Sequence, residues 1–333
     1  MPSLIELILT PPAGVSASQL DALPPIRNAF ARRQVPIVSV REDEYWFRRF
    51  AVERQIDWPA ALFRGTGERA SFQLCADPVH LAINGDAVTL DASASADLSL
   101  ADAQSLIAHL NAHFAADGMR LLLVSPGEWL LETAQPIDAS TTALPQVHGR
   151  SIETHLPQGA QARLLKRIGN EAQMLLHEAA ANIARQGRGQ LPISGIWLWG
   201  GGQGDGVATS APTMTLYSNA AHVRGIAQAA GAQGLPLPAG ASALPFAGAD
   251  GSLIIDLDAR TSDAQRFTGW FNEEWLLPLE QLAARHSCDV ELTVVLPAAT
   301  ASARLFERDL LRALRRGGLV ASLKRAGHGL IED

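Results

Sequence analysis

From residue 193 onward, short apolar runs alternate with stretches of helical spacing, and this succession restricts the fold more than any other feature of the chain. Residues 193–199, 214–217, 252–257 and 290–296 read as strands, with helices over 219–230 and 263–286. Strands that are apolar along their whole length, joined by amphipathic helices, predict a mostly parallel sheet covered on both faces. Residues 4–9 form one more apolar run, which Thr10-Pro11-Pro12-Ala13-Gly14 carries into a loop. Residues 36–40 offer a second early strand, and 41–55 a helix with Trp46, Phe47 and Phe50 on its apolar face. The last helical pattern, 304–316, is basic and reads as a solvated face or a contact for a protein partner.

A different pattern occupies residues 71–132. Two strand-like stretches, 71–76 and 79–83, lead to Asn84-Gly85, a strong hairpin signal, and to a further strand over 87–90. Ser99 then caps a long amphipathic segment that ends near Gly118, with Asp102 in the third helical position. Strands over 119–124 and 129–132 follow, split by Pro126-Gly127. This order predicts a small α+β unit. The turn-rich stretch 58–69 marks its boundary, and residues 160–185 carry the longest helical pattern.

Composition closes several classes. The chain has 333 residues, 47% of them hydrophobic, enough for one large or two smaller domains with a core of their own. Its two cysteines, Cys75 and Cys288, lie far apart and exclude a disulfide framework or a cysteine zinc ribbon. A net charge of -7 argues against a nucleic-acid backbone binder. No apolar run reaches the roughly 18–20 residues of a membrane span. The N-terminus carries no basic leader, so the expected compartment is the cytoplasm.

Among local motifs the glycine run after Trp199 stands out. A strand entering Gly200, Gly201, Gly202 and Gly204 can cradle an anion through backbone N–H groups. It matches neither a P-loop nor a dinucleotide fingerprint, so a turn that needs glycine for its backbone angles competes with that reading. His109 and His113 have the i, i+4 spacing of a metal face, but no third ligand accompanies them, and a solvated face is the simpler account. Asn170 and Asn182 fall in a helical pattern that asparagine disfavours, which points to a buried polar role or a helix end. Asp256 and Asp258 close a strand, a frequent place for catalytic acids and equally for a turn. No G-x-S-x-G occurs, and Thr10, which follows the first strand, is a poor nucleophile candidate because no carboxylate stands beside it to bind an activating metal.

These residues also carry a resemblance. Cys75-Ala76-Asp77-Pro78-Val79, the hairpin, and Leu106-Ile107-x-x-Leu110 resemble the inserted domain of archaeal-type cofactor-independent phosphoglycerate mutases. His148-Gly149-Arg150-Ser151-Ile152, the helix holding Leu175-Leu176-His177 and Asn182, and Ile196-Trp197-Leu198-Trp199-Gly200-Gly201-Gly202 resemble a second block of that family. His222-Val223-Arg224-Gly225-Ile226-Ala227 resembles the helix that follows. The likeness covers roughly residues 70–300 and is nearest to a proteobacterial RpfE-type regulatory protein branch. It implies an alkaline-phosphatase-like α/β fold: a mostly parallel sheet flanked by helices over 1–69 and 150–333, with an inserted α+β domain over 70–149.

The family's chemistry uses two divalent metals and a phosphorylated serine. Here the first strand ends in Thr10-Pro11-Pro12 where the family has an Asp-Gly metal loop. Ala259-Arg260-Thr261 follows Asp258 without a histidine, and the last core strand ends in Leu296-Pro297 without an Asp-His pair. The expectation is therefore a metal-free, regulatory or phosphometabolite-binding relative with no cofactor. Its ligand residues are expected to be Asp77, His148, Arg150, Asn182, Gly200, Gly201, Gly202 and Gly204. The competing expectations are an active mutase or phosphatase with a rebuilt manganese or zinc centre using Thr10, Asp256 and Asp258, and a scaffold for a protein partner.

Overall fold

The computed structural model describes residues 4–12, 15–27, 37–38, 44–65, 71–85, 87–204, 214–244, 252–259, 263–286, 288–295 and 300–306. The chain divides into two compact units, Met1–Ala51 with Ala208–Asp333, and Val52–Val207. The 70–149 stretch read as an insert lies inside the second unit, which also takes in residues on both sides of it.

In the first unit, β1 (Leu4–Thr10) is central, flanked in parallel by β10 (Ser252–Asp258) and β11 (Asp289–Val295). Beyond β10 lie β8 (Met214–Tyr217) and β9 (Gln233–Leu235), both parallel. Beyond β11 lies β12 (Thr300–Phe306), antiparallel to it, and then β2 (Ile37–Val38), antiparallel to β12. This is the α/β class expected, a mostly parallel sheet flanked by helices. Strand periodicity sends Ile5, Leu7 and Leu9 to one face, where they join Leu253, Ile255, Leu257, Val290, Leu292 and Val294. Phe267, Phe271, Trp275 and Leu279 of the following helices cover that face. Each such side chain contributes about 1.5–3 kcal/mol on burial. The stretch read as one helix over 263–286 is Ala264–Phe271, a π-turn over Asn272–Leu276, and Leu277–His286. The basic helix expected over 304–316 begins inside β12, and its remainder lies outside the described residues.

The second unit is built on β3 (Phe72–Asn84), a single strand where the sequence suggested two. Pro78 falls between the stretch paired with β6 (Glu128–Thr133), which is Phe72–Cys75, and the stretch paired with β4 (Ala87–Asp91), which is His80–Asn84. The donor that proline lacks is not called on there. β5 (Met119–Ser125) pairs with β6, and Asn84-Gly85 makes the expected hairpin, Gly85 at φ 62°. Ser99 caps Leu100–Phe114, its hydroxyl accepting from the Asp102 N–H at 3.1 Å. That helix and Ala162–Glu178 bury Leu106, Leu110, Leu165, Ile168 and Leu176 against the sheet.

Two readings need correction here. The helix expected over 160–185 is broken at Ala179, whose ψ of 126° separates Ala162–Glu178 from Ala180–Gly187. The strand expected from 193 does not join the parallel sheet. It is β7 (Gly195–Gly202), and it pairs antiparallel with β3, Trp197 opposite Asp77 and Trp199 opposite Cys75. An apolar strand buried on both faces looks the same in either kind of sheet. Among the described residues, no helix is long and apolar enough to cross a membrane.

Candidate functional site

The residues singled out from the sequence fall into three groups. The first is the carboxyl edge of the parallel sheet, where α/β proteins commonly bind ligands. The β1–β10 register sets Ile8 beside Asp256 and Thr10 beside Asp258, so the three catalytic candidates do come together. Thr10 and Asp256 are buried, and Asp256 Oδ2 accepts from the Ser218 hydroxyl at 2.6 Å. Ser218 Oγ in turn accepts from the Ala220 N–H at 3.0 Å, and the Arg224 guanidinium donates to the Ser218 carbonyl at 2.8 Å.

The sheet face opposite the apolar core continues this polar row. Glu6 lies beside Glu291 in register and accepts from Arg49 at 2.7 Å. Burial raises the Glu6 carboxyl above its ordinary value, against the pull of Arg49. The Tyr45 hydroxyl bonds the buried Thr293, and desolvation pushes it up to about 12. Glu6, Arg49, Tyr45, Ser218 and Thr293 were not anticipated. The one available signal was Glu6 itself, an ionisable residue inside an apolar strand and two positions from Ile8 on the same face.

Two-metal phosphoryl transfer needs carboxylates and imidazoles converging on each ion. This edge presents two carboxylates from one strand, one of them bonded to a serine, together with hydroxyls. Among the described residues, no three His, Cys, Asp or Glu side chains are grouped to hold a metal ion.

The second group holds Asp77, Asn182 and the glycines, all in the second unit, and here the structure assigns other work. Asp77 is buried and forms a two-pronged ion pair with Arg64, at 2.5 and 3.0 Å. The Trp199 indole N–H also donates to Asp77, at 2.7 Å, and the Arg64 guanidinium lies 5.2 Å from the Trp199 ring centre. Burial alone would favour a neutral Arg64, but the charge and hydrogen bonds of Asp77, with Cys75 and Glu128 adding to them, hold Arg64 above its ordinary value. Both Asp77 oxygens are thus engaged by partners within the fold.

Asn182 is buried too. Its Nδ2 donates to the Leu176 and Ile193 carbonyls, both at 2.7 Å, and its Oδ1 accepts the Ile193 N–H at 2.9 Å. It ties the broken helix to the chain entering β7, the buried polar role that an asparagine in this pattern suggested.

Gly200, Gly201 and Gly202 belong to β7 itself, not to a loop. A Cβ on Gly200 would stand 2.7 Å from Ala60 Cβ, and one on Gly202 2.5 Å from Pro59 Cβ. A Cβ on Gly201 would stand 2.7 Å from the Phe72 ring. These glycines let β7 lie close to its neighbours, and they are buried. The Gly200 N–H is taken by the Thr141 hydroxyl at 3.0 Å, and that hydroxyl donates to Asp57. Gly204 turns the chain at φ 87° in open space. His109 and His113 meet the Ala162–Glu178 helix: His109 bonds the Leu175 carbonyl at 3.1 Å and His113 the Glu171 carboxylate at 3.3 Å. They act as helix contacts.

The third group is the turn at His148, Gly149 and Arg150. The Gly149 N–H donates to the Leu90 carbonyl at 2.8 Å, and the Leu90 N–H donates to the Arg150 carbonyl at 3.1 Å, so the turn is fixed to β4. Gly149 supplies the positive φ of 73°. His148 Nδ1 accepts the Ala92 N–H at 3.0 Å, which places the proton of the neutral ring on Nε2. The Arg150 side chain is exposed and bonds no described residue. Of the expected ligand residues, His148 and Arg150 keep donors that the fold does not use.

No family model matches this chain. It is 40% identical over 65 residues to a 2,3-bisphosphoglycerate-independent phosphoglycerate mutase of Methanothrix thermoacetophila, spanning 20% of this chain and 17% of that protein. It is 35% identical over 63 residues to a probable enzyme of the same name from Geobacter sulfurreducens, spanning 19% and 16%. The matched segments thus cover only about a sixth of these curated relatives. Among solved structures, the PH0037 protein of Pyrococcus horikoshii is similar with a TM-score of 0.53 at 12% identity, over 97% of this chain and 93% of that one. That likeness extends to the fold.

Proposed function

We propose that this protein binds a small phosphorylated metabolite as a non-catalytic, regulatory relative of the cofactor-independent phosphoglycerate mutases. The observation that carries the reading is the pair of side chains at the 148–150 turn. The His148 ring is oriented by a backbone N–H, and the Arg150 guanidinium has no partner within the described fold. A guanidinium pairs with phosphate or carboxylate oxygens through two parallel hydrogen bonds, and a neutral imidazole Nε2–H adds a third donor. The distant similarity to phosphoglycerate mutases suggests phosphoglycerates as the first ligands to try.

Calorimetric titration with 3-phosphoglycerate tests the reading. Binding with a Kd in the micromolar to millimolar range, weakened about ten-fold or more by Arg150→Ala, supports it. Equal binding by the wild type and Arg150→Ala overturns this site.

A second reading rests on the register that sets Thr10 beside Asp258 and near Asp256 at the carboxyl edge of the sheet. In that reading the chain is an active mutase or phosphatase with a rebuilt centre, and manganese or zinc would supply the Lewis acid. Stoichiometric metal in the purified protein, together with turnover that a chelator abolishes, distinguishes it from the first.

A further inference from the structure

A cleft of about 290 Å³ opens within the second unit, at the lower edge of the roughly 300–1,000 Å³ typical of small-molecule sites. One side is the Ala162–Glu178 helix, which contributes Lys166, Gly169, Asn170 and Gln173. The other side is apolar, with Leu81, Leu156, Ile196 and Trp197. The Trp197 indole N–H is already satisfied by the Thr142 carbonyl at 2.7 Å, so the ring meets the cleft as a hydrophobic wall.

Two features point to an occupant. Gly169 sits inside a helix, where glycine is the least favourable residue after proline. No packing demand explains it: a Cβ there would meet nothing within 4 Å, and no positive φ is involved. It opens the cleft instead of filling it. Lys166, Asn170 and Gln173, spaced by four and three residues, form one row on the helix. No carboxylate lines the cleft, and Lys166 pairs with no described residue. The site therefore joins one positive charge and two amides to an apolar wall.

We infer that this cleft binds an amphipathic small molecule with an apolar body and a single anionic group, the anion held by Lys166 and the body against Trp197. The cleft shares no residue with the His148–Arg150 turn, although Ile152 of its lining lies two positions from Arg150, and the tests below use Lys166 and Gly169, so either assignment can fail without the other.

The probes are 8-anilinonaphthalene-1-sulfonate and its uncharged relative N-phenyl-1-naphthylamine, followed by fluorescence on the folded full chain. Saturable binding of the anionic dye at one site is expected. Lys166→Met should weaken the anionic dye by roughly three- to five-fold and leave the neutral one unchanged. Gly169→Phe, which fills the cleft, should weaken both by about ten-fold or more, with unfolding midpoints measured alongside to confirm that the variant is folded. Octanoate or octyl phosphate should displace the dye, and the more effective of the two identifies the preferred head group. The assignment is overturned if a folded Gly169→Phe binds both dyes like the wild type, if Lys166→Met weakens both equally, or if neither amphiphile competes.

Discussion

Asn182 and Ile193 bond each other twice: Asn182 Nδ2 donates to the Ile193 carbonyl at 2.7 Å, and the Ile193 N–H returns a bond to Asn182 Oδ1 at 2.9 Å. The same amide donates to the Leu176 carbonyl at 2.7 Å, just before the helix breaks at Ala179. One buried side chain thereby bonds three backbone groups, the Leu176 carbonyl at the helix end and both polar groups of Ile193 ahead of β7. Asn182→Ala should destabilise the protein by about 2–4 kcal/mol, read as a lower urea midpoint. Phosphoglycerate affinity of the remaining folded protein should not change, and a loss of affinity without a loss of stability would restore Asn182 as a ligand residue.

The glycines of β7 make a parallel case. Gly202→Ala brings a Cβ to 2.5 Å from Pro59 Cβ, and overpacking of this kind costs about 1–3 kcal/mol. Gly204→Ala meets no neighbouring atom, so its cost of about 1 kcal/mol comes from the positive φ alone. Thermal unfolding of the two variants should rank them in that order. An anion cradle would show the reverse pattern, with binding lost and stability kept.

The Arg64–Asp77 pair predicts non-additive energetics. Arg64→Met leaves the Asp77 carboxylate buried without its cation and should cost about 3–5 kcal/mol. Adding Asp77→Asn removes that charge and keeps an acceptor for the Trp199 indole N–H, so the double variant should recover much of the loss. A double-mutant cycle in denaturant measures the coupling, and additive losses would mean that the pair is solvated in solution.

Asp57 gives stability a pH dependence of definite sign. Its buried carboxyl titrates above the ordinary 3.8, chiefly because of desolvation, although Thr141 and the Trp58 N–H donate to it. The folded protein thus holds this proton at pH values where the unfolded chain has released it. Between the unfolded value and the raised folded one, this group's contribution to stability falls as pH rises. Asp57→Asn removes the titration, so its stability relative to wild type should increase from pH 4 towards neutrality. A constant difference across that range would place the Asp57 carboxyl at its ordinary value.

Much of this arrangement could be read from the chain, because local rules act over a few residues. Leu4–Thr10, Asn84-Gly85 and the Ser99 cap are fixed by a short apolar run, turn chemistry and a single hydroxyl. What stayed hidden depends on pairings distant in sequence. Asp77 was singled out through the family resemblance, and its partner Arg64, thirteen positions earlier, carries no local mark of pairing with it. The glycine run looked like a loop because nothing local says that Pro59, Ala60 and Phe72 pack against it. The strand before it looked parallel because burial on both faces erases the alternation that would have separated β7 from the other sheet. The polar row of Glu6, Tyr45, Ser218 and Thr293 is assembled from segments up to 287 residues apart, where only Glu6 breaks its local pattern.

The central claim is binding without mutase chemistry, and a coupled assay of 3- and 2-phosphoglycerate interconversion tests it most directly. The purified protein should be assayed with added manganese and again with a chelator. The account predicts no interconversion above the protein-free rate in either condition. Turnover that manganese supports and the chelator abolishes would contradict it, and would return Thr10, Asp256 and Asp258 to the centre of the reaction.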